Sequence, residues 1–537
     1  TTLKYQENNY DFLINYKKNM DDVHFDVSFG GNTMERYRGS RQQTAGALVI
    51  PGIYSINNSN VAVQANAYDE NRRTNSLYAF VSADYKNAIF LNVTGRNDWS
   101  STLPPGSNSY FYPSVNSSIL FNRIFNMSPK IDLLKLRLAY AQAGNDADPY
   151  SILTPYNYQQ LWNGLPSLAE SSTLNNPNLK PEKSSTTEVG AEIAVFHGRL
   201  DLDVTGYRTS SKNQILSLPT AVSSAYRAEV INAGEITNKG IEVELNAVPV
   251  KTKSGFEWDL TINFARNISK VVALAPGVDR IVQQAPGEDA TIEAHVGQRM
   301  GALYGPGFVR VPDGPLKGMP IIDPNGHAEV TPTSIYLGNI NPDWTAGINN
   351  RVSYKGAYLE FLFDISKGGV LVSRFINKAI GAGQLLESAG ARLKHAPDDV
   401  YNNDYYRDGG VLQADGSYAR NLQVFDGSYS KGIYGTGPRD FYKAYYDHNS
   451  EQQLVDRSFV KLRELKIGYN FPRRWFQHTP VQNLSLSAVG RNLLLWTKNQ
   501  HFDPETGAST GSGLVGGFEN LSLPTTRSFG VNLSVNF

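Results

Sequence analysis

The sequence predicts an all-β fold, a transmembrane antiparallel β-barrel. Three features point to it: apolar residues that recur at every second position, connections that are either very short or very long, and aromatic residues placed at strand ends. Period two is the repeat of a strand with one apolar and one wet face.

The alternation can be followed along the chain. A first segment lies near residues 7–16. Val23, Phe25, Val27 and Phe29 then alternate with His24, Asp26 and Ser28, and Ile89, Leu91 and Val93 with Asn92, Thr94 and Arg96. Leu134, Leu136, Leu138 and Tyr140 alternate with Lys135 and Arg137; Ile241, Val243 and Leu245 with Glu242, Glu244 and Asn246; Trp258, Leu260, Ile262 and Phe264 with Asp259, Thr261 and Asn263. At the end Phe529, Val531, Leu533, Val535 and Phe537 fall on one face. The pattern occurs in about fifteen segments, each of roughly the 9–11 residues that cross a bilayer at a tilt.

Tight joins fall at Lys86-Asn87, at His197-Gly198-Arg199, from Val250 to Gly255 and at Lys355-Gly356. The intervening connections are long, between residues 31 and 75, 145 and 181, 271 and 342, and 369 and 456. Short turns at one end and long loops at the other mark a membrane barrel, whereas sandwiches and propellers share loop length more evenly. Asp313-Gly314, Asp408-Gly409, Asp415-Gly416 and Asp426-Gly427 supply turn chemistry within the long connections.

Trp344 and Tyr354 bracket one strand on the face of Ala346, Ile348 and Val352, and Trp258 and Trp496 lie near other strand ends, as an interfacial girdle requires. Between Phe459 and Phe471 the apolar phase shifts at Arg463-Glu464, from Val460 and Leu462 to Leu465, Ile467 and Tyr469, which predicts a bulge or a strand continuing above the membrane. Residues 371–395 carry helical spacing through Phe375, Ile376, Ala379, Ile380, Leu385 and Leu386, so a helix is expected inside that connection. Gly305-Pro306-Gly307 lacks the third glycine of a dinucleotide loop and is expected to form a turn.

The 537 residues show no composition break, which favours one large architecture, and 50 basic residues balance 50 acidic ones, which argues against a nucleic-acid partner. Without cysteine there are no disulfides, zinc knuckles or thiol chemistry. Mean hydropathy is −0.36, and no apolar run has the roughly 18 residues of a spanning helix. The opening residues TTLKYQENNYDF lack the parts of a signal peptide, so the chain is either cytoplasmic or begins downstream of its targeting signal. If the last strand ends in the periplasm, the first also runs downward. An odd strand number cannot close an even-numbered barrel, so the first strands are expected from another piece of polypeptide.

Several blocks together resemble the SusC/RagA class of TonB-dependent outer-membrane transporters. They are Asn178-Leu179-Lys180-Pro181-Glu182-Lys183 with Glu188 and Gly190; NAGEITNKGIEVEL from Asn232 to Leu245; and Gly297-Gln298 with Gly301 and Tyr304-Gly305. Also present are LGNINPDWTAGINN from Leu337 to Asn350, RSFVKLRELKIGYNFP from Arg457 to Pro472, GRNLLLWTK from Gly490 to Lys498, and the terminal Phe537. The resemblance covers almost the whole chain. It implies a plugged barrel of 22 strands, of which this chain would supply strands eight to twenty-two, with the plug domain, TonB box and first strands absent from it. It also implies a SusD-like surface lipoprotein over the mouth, glycan or peptide cargo, and energy from the TonB complex.

The residues themselves offer transport chemistry and no catalysis: Walker A, H-E-x-x-H and G-x-S-x-G motifs are absent and the eight histidines lack ligand spacing. No cofactor and no metal is expected, although Asp404 and Asp408 could bind calcium if they are not simply exposed acidic turns. Candidate ligand contacts are Tyr156, Tyr158 and Trp162; Tyr401, Tyr405 and Tyr406; and Tyr442, Tyr445 and Tyr446, whose rings could cover apolar sugar or peptide surface, or else pack the loops or meet the lipoprotein. The 369–456 connection is expected to form part of the substrate and lid surface. Phe537 resembles the aromatic assembly signal of outer-membrane barrels. Two other functions are consistent with such a wall: a surface adhesin or structural barrel, and a siderophore or vitamin receptor.

Overall fold

The computed structural model describes residues 1–162, 165–220, 222–323, 327–382, 384–385, 409–421, 448–506 and 516–537. The main sheet has 16 strands. Fifteen succeed one another in chain order: β1 (Thr2–Met20), β2 (Val23–Thr44), β3 (Gln64–Tyr85), β4 (Ile89–Ser100), β5 (Ser109–Leu120), β6 (Ile131–Asn145), β7 (Glu182–Val195), β8 (Leu200–Pro219), β9 (Ala228–Lys251), β10 (Phe256–Ala273), β11 (Trp344–Tyr354), β12 (Ala357–Lys367), β13 (Phe459–Phe471), β14 (Asn483–Thr497) and β15 (Ser528–Asn536). The remaining strand, Thr173–Leu174, runs parallel to the start of β9. Compactness divides the chain into a first unit (Thr1–Gly198, Asp203–Lys239, Val272–Val278) and a second (Arg199–Leu202, Gly240–Val271, Asp279–Phe537).

In the first unit the predicted alternation becomes a two-faced wall. Val27 lies opposite Val81 and Val93 opposite Val115, with these side chains exposed. The other face is polar and bonded across strands: His24 Nδ1 to Asp84 at 3.0 Å, Thr94 to Ser114 at 2.7 Å, and Arg137 to Asp203 at 2.6 and 2.7 Å. Lys135 and Arg137 share Glu192. A soluble sheet would bury its apolar face, whereas this one leaves it open and satisfies its polar face internally. Lys86 and Asn87 turn β3 into β4 with φ of +53° and +49°.

In the second unit β11 and β12 pair along their whole length, joined by Lys355-Gly356. Gly356 has φ +94°, and a Cβ there would lie 2.6 Å from the Asn470 carbonyl oxygen, so the turn requires glycine twice over. Leu359, Phe361, Phe363 and Ile365 share a face with Ile467, Leu465, Leu462 and Val460 of β13. Asn350 is a polar residue on the apolar face of β11, and Trp258 Nε1 donates to its Oδ1 at 3.1 Å. Trp344 packs on Phe264 and Trp496 on Phe363.

The phase shift at Arg463-Glu464 is a bulge. Phe363 pairs with Leu462 and Leu362 with Glu464, so Arg463 is the extra residue. Against β14 the register also slips, where Asn492 adopts φ +52°. Arg463 and Glu464, although consecutive, therefore both serve the polar face.

Other expectations need correction. Several strands exceed 9–11 residues: β2 and β3 have 22 each and β9 has 24, whereas β11 and β12 have 11 and β15 has 9. Above the apolar band both faces are polar, so period two vanishes while the hydrogen-bond ladder continues. The supposed connection between residues 31 and 75 thus shrinks to 45–63. Gly305-Pro306-Gly307 is not a turn but a close crossing: Thr331 N donates to Gly307 O at 2.8 Å and Glu451 N to Pro306 O at 3.2 Å. A Cβ on Gly305 would lie 2.6 Å from Ser450 Cβ. The helix expected over 371–395 is present from Arg374 to Gly381; residues 383 and 386–395 lie outside the described ones. Asp415-Gly416 does turn a small hairpin, Gly410–Leu412 with Tyr418–Arg420.

Candidate functional site

The three longest connections of the second unit fold together. Segment 271–342 contributes a four-stranded antiparallel sheet, Arg280–Gly287, Ala290–His295, Ala302–Gly305 and Ile335–Asn339. From segment 368–456, Val370–Ser373 pairs antiparallel with Leu454–Asp456 and parallel with Phe518–Glu519 of segment 498–527. Ala290, Ile292, Leu303, Val372 and Phe518 form one buried cluster, closed by Leu337, Ile340, Val370 and Leu454. A core drawn from three connections joins their described residues into one body instead of three independent loops.

The helix Arg374–Gly381 is fastened to this body at its first turn. Ser373 Oγ accepts from Ile376 N at 3.1 Å, and Glu519 Oε2 accepts from Phe375 N at 3.0 Å and from Ser373 Oγ at 2.8 Å. Glu288 and Asp289 make a hairpin turn with φ of +54° and +59°, a conformation usually filled by Asn-Gly. Arg374 and Lys378 hold the Glu288 carboxylate and His448 Nδ1 meets Asp289 at 2.9 Å.

Segment 498–527 is gripped by charge as well. Lys461 Nζ, almost fully buried, meets Asp503 at 2.7 Å and also Glu505. Arg463 reaches the same Glu505 at 2.9 Å, Asp364 of β12 at 3.0 Å through Nε, and Asn492 at 3.2 Å. Burial works to raise the Glu505 pKa, but the hydrogen bonds from Arg463 and Lys461 outweigh it and hold the group down to about 2. Arg457 uses neutral partners: its guanidinium donates to the carbonyls of Ile340 at 2.9 Å, Gly516 at 2.6 Å and Pro504 at 3.4 Å. Burial lowers its pKa from the ordinary arginine value.

The polar side of the four-stranded sheet has a second cluster. Buried Glu293 accepts from Thr291 Oγ1 at 2.6 Å and lies 2.6 Å from His295 Nε2 and 3.2 Å from Arg280. Burial works to raise its pKa, and these three partners together keep it below the ordinary value. His295 stacks on Tyr304 at 4.3 Å, and Tyr304 meets the edge of half-exposed Tyr336. Among the described residues, no group of three or more His, Cys, Asp or Glu side chains could hold a metal.

Of the predicted ligand contacts, Tyr156 and Tyr158 lie in one hairpin of the first unit, Tyr156–Trp162 with Leu165–Glu170, and are 66% and 86% exposed. They are not buried loop packing. The Trp162 side chain, Tyr401, Tyr405, Tyr406, Tyr442, Tyr445, Tyr446, Asp404 and Asp408 lie outside the described residues. Two of the sequence blocks meet in this unit. Asn232 donates from Nδ2 to Lys180 O and accepts from Lys180 N, both at 2.7 Å, so its amide mimics a strand partner for the Lys180-Pro181 segment. Leu179 beside it is fully buried with Leu103 and Ala147.

Residues 1–493 match the family model described as TonB dependent receptor-like, beta-barrel. The chain belongs to the TonB-dependent receptor β-barrel family. As members of this family are, it is an outer-membrane protein. Among curated relatives, it is 25% identical to TonB-dependent receptor P3 of Formosa agariphila over 508 residues, covering 89% of this chain and 47% of that protein. It is 21% identical to TonB-dependent receptor SusC of Bacteroides thetaiotaomicron, covering 98% of this chain and 50% of the relative. The chain thus spans about half the length of the curated relatives it matches. Among solved structures, the RagAB peptide importer in its closed-closed state aligns with a TM-score of 0.75 at 17% identity, over 100% of this chain and 56% of that one. At that identity the likeness speaks for the fold.

Placed in this receptor family, the block RSFVKLRELKIGYNFP acquires a physical role at three of its charged positions, since Arg457, Lys461 and Arg463 are the side chains that hold segment 498–527. Sequence reasoning saw the Arg463 phase shift but not its partners. Asp503 and Glu505 lie about 40 residues beyond Lys461 along the chain, and only the folded chain brings them to β13.

Proposed function

We propose that this receptor chain forms part of the barrel of a TonB-dependent importer that carries a glycan or peptide nutrient across the outer membrane. What supports this reading most is the body formed by the long connections: a shared core and a charge network are costly to build, and they present a shaped surface at the end of the wall opposite the tight turns. That end faces the exterior and the tight turns face the periplasm. The plug, the TonB box and the first strands come from polypeptide outside this chain, and a SusD-like lipoprotein closes over the mouth. Exposed Tyr156 and Tyr158 offer ring faces to the cargo or to that lipoprotein.

The test uses the full-length protein in its native membrane. Uptake of the nutrient should require an intact TonB complex, and the lipoprotein should co-purify with the receptor. Replacing Tyr156 and Tyr158 together by Ala should reduce one or both by about tenfold, the scale of two lost aromatic contacts of ~0.5–1.5 kcal/mol each. A protein of normal abundance that supports no TonB-dependent uptake and captures no lipoprotein would be an adhesin or structural barrel instead.

Phe537 is three-quarters exposed after the last strand. Its proposed role is recognition during barrel assembly, so deleting it alone should lower the folded fraction in the outer membrane. Normal yield, with loss only when Val535 and Leu533 are also removed, would make Phe537 one more lipid-facing residue.

A further inference from the structure

Segment 498–527 has two attachments of different chemistry. Arg457 is partly buried among backbone carbonyls from two connections, Ile340 from one and Pro504 and Gly516 from the other. Carbonyls carry no titratable charge, and three neutral acceptors at a partly buried site offer dissolved ions no ion pair to displace. The second attachment is ionic and sits partly at the surface: Glu505 is 44% exposed while its partner Lys461 is 3% exposed. The two limbs of the segment also meet here, because Thr525 Oγ1 donates to Asp503 Oδ2 at 2.9 Å and Asn492 Nδ2 to Thr526 O at 3.2 Å.

We propose that Glu505, held by Lys461 and Arg463, forms a releasable latch on the last long connection, with Arg457 and the buried Lys461–Asp503 pair as its fixed pivot. The inference rests on the import reading only for its purpose, which is to let the outer body yield to cargo without coming apart. The charged groups facing Glu505 are Lys461 and Arg463 of β13; behind them stand Asp364 of β12 and Asp503 of the segment itself. Freed from Glu505, Arg463 keeps Asp364 and Lys461 keeps Asp503, so opening strands no buried charge.

Acid is not the releasing signal. A carboxylate whose folded pKa lies near 2, below its ordinary 4.5, contributes its full stabilisation above 4.5, loses it progressively below that and has lost it once pH falls through about 2, so nothing is released at ordinary pH. Competing ions are the signal that the half-exposed site admits.

The test is hydrogen exchange on the full-length receptor in detergent at fixed pH. Glu505→Gln, or wild-type protein in 1 M salt, should speed exchange of residues 504–506 by about tenfold or more and leave 336–340 and 370–373 unchanged. Arg457→Met should speed exchange in all of these together, and Arg457→Lys, which keeps the charge but not the three-way donation, should act likewise if the methionine variant fails to assemble. Identical patterns for Glu505→Gln and the Arg457 variants would overturn the division into latch and pivot. No change with Glu505→Gln or salt would overturn the latch itself. Uptake is a separate readout, so loss of transport with this exchange pattern intact would count against the import reading alone.

Discussion

Replacing Ile262 by Arg should cost about 2–4 kcal/mol of barrel stability, while Asn263→Arg one position away should cost much less. Ile262 faces Ile348 across β10 and β11, on the side of Leu260 and Phe264, so an arginine there would place its charge in hydrocarbon. Asn263 lies opposite Gly347 on the other side, and around Gly347 there is open space that a long side chain can enter. Outer-membrane abundance and the heat-dependent mobility of the folded protein on gels measure the difference. Equal behaviour of the two variants would mean that this strand does not present Ile262 to lipid.

Phe518→Ala should be the most damaging single change outside the wall. The ring is buried against Ala290, Ile292, Leu303 and Val372, and truncating a packed phenylalanine costs about 3–5 kcal/mol. Because those neighbours come from other connections, the expected result is joint loss of order: limited proteolysis should cut residues 280–305, 370–381 and 516–520 at similar rates, while the β-sheet circular dichroism of the wall persists. Cleavage confined to the neighbourhood of residue 518 would show that the three connections stand independently. A shared core also bears on loop deletion. Removing the ends of segment 368–456 would take Val372 and Leu454 from the core, so a deletion meant to probe binding must spare residues 370–381 and 448–456.

The wall was legible in the sequence because its cause is local. A membrane strand must show lipid one face at every second residue, so any window of a few residues carries the signal, and the bulge announced itself as a break in that period at Arg463. Where the cause was hydrogen bonding alone, as in the outer halves of β2 and β3, the window was silent, and the strands were read too short. Trp258 stood out near a strand end, but not its partner, because the Asn350 it covers is 92 residues away.

By itself, then, the sequence determined the fold class, the tight turns, the strand order and the family, since all of these follow from short repeats or from contiguous blocks. Only the tertiary structure decided that the long connections form one body, that Gly305-Pro306-Gly307 is a crossing and not a turn, and that Arg457 joins carbonyls 117 and 59 residues distant. The physical reason is the same in each case. Irregular backbone has no period to read, and the polar partners that satisfy it are chosen by proximity in space, which no local window of residues records.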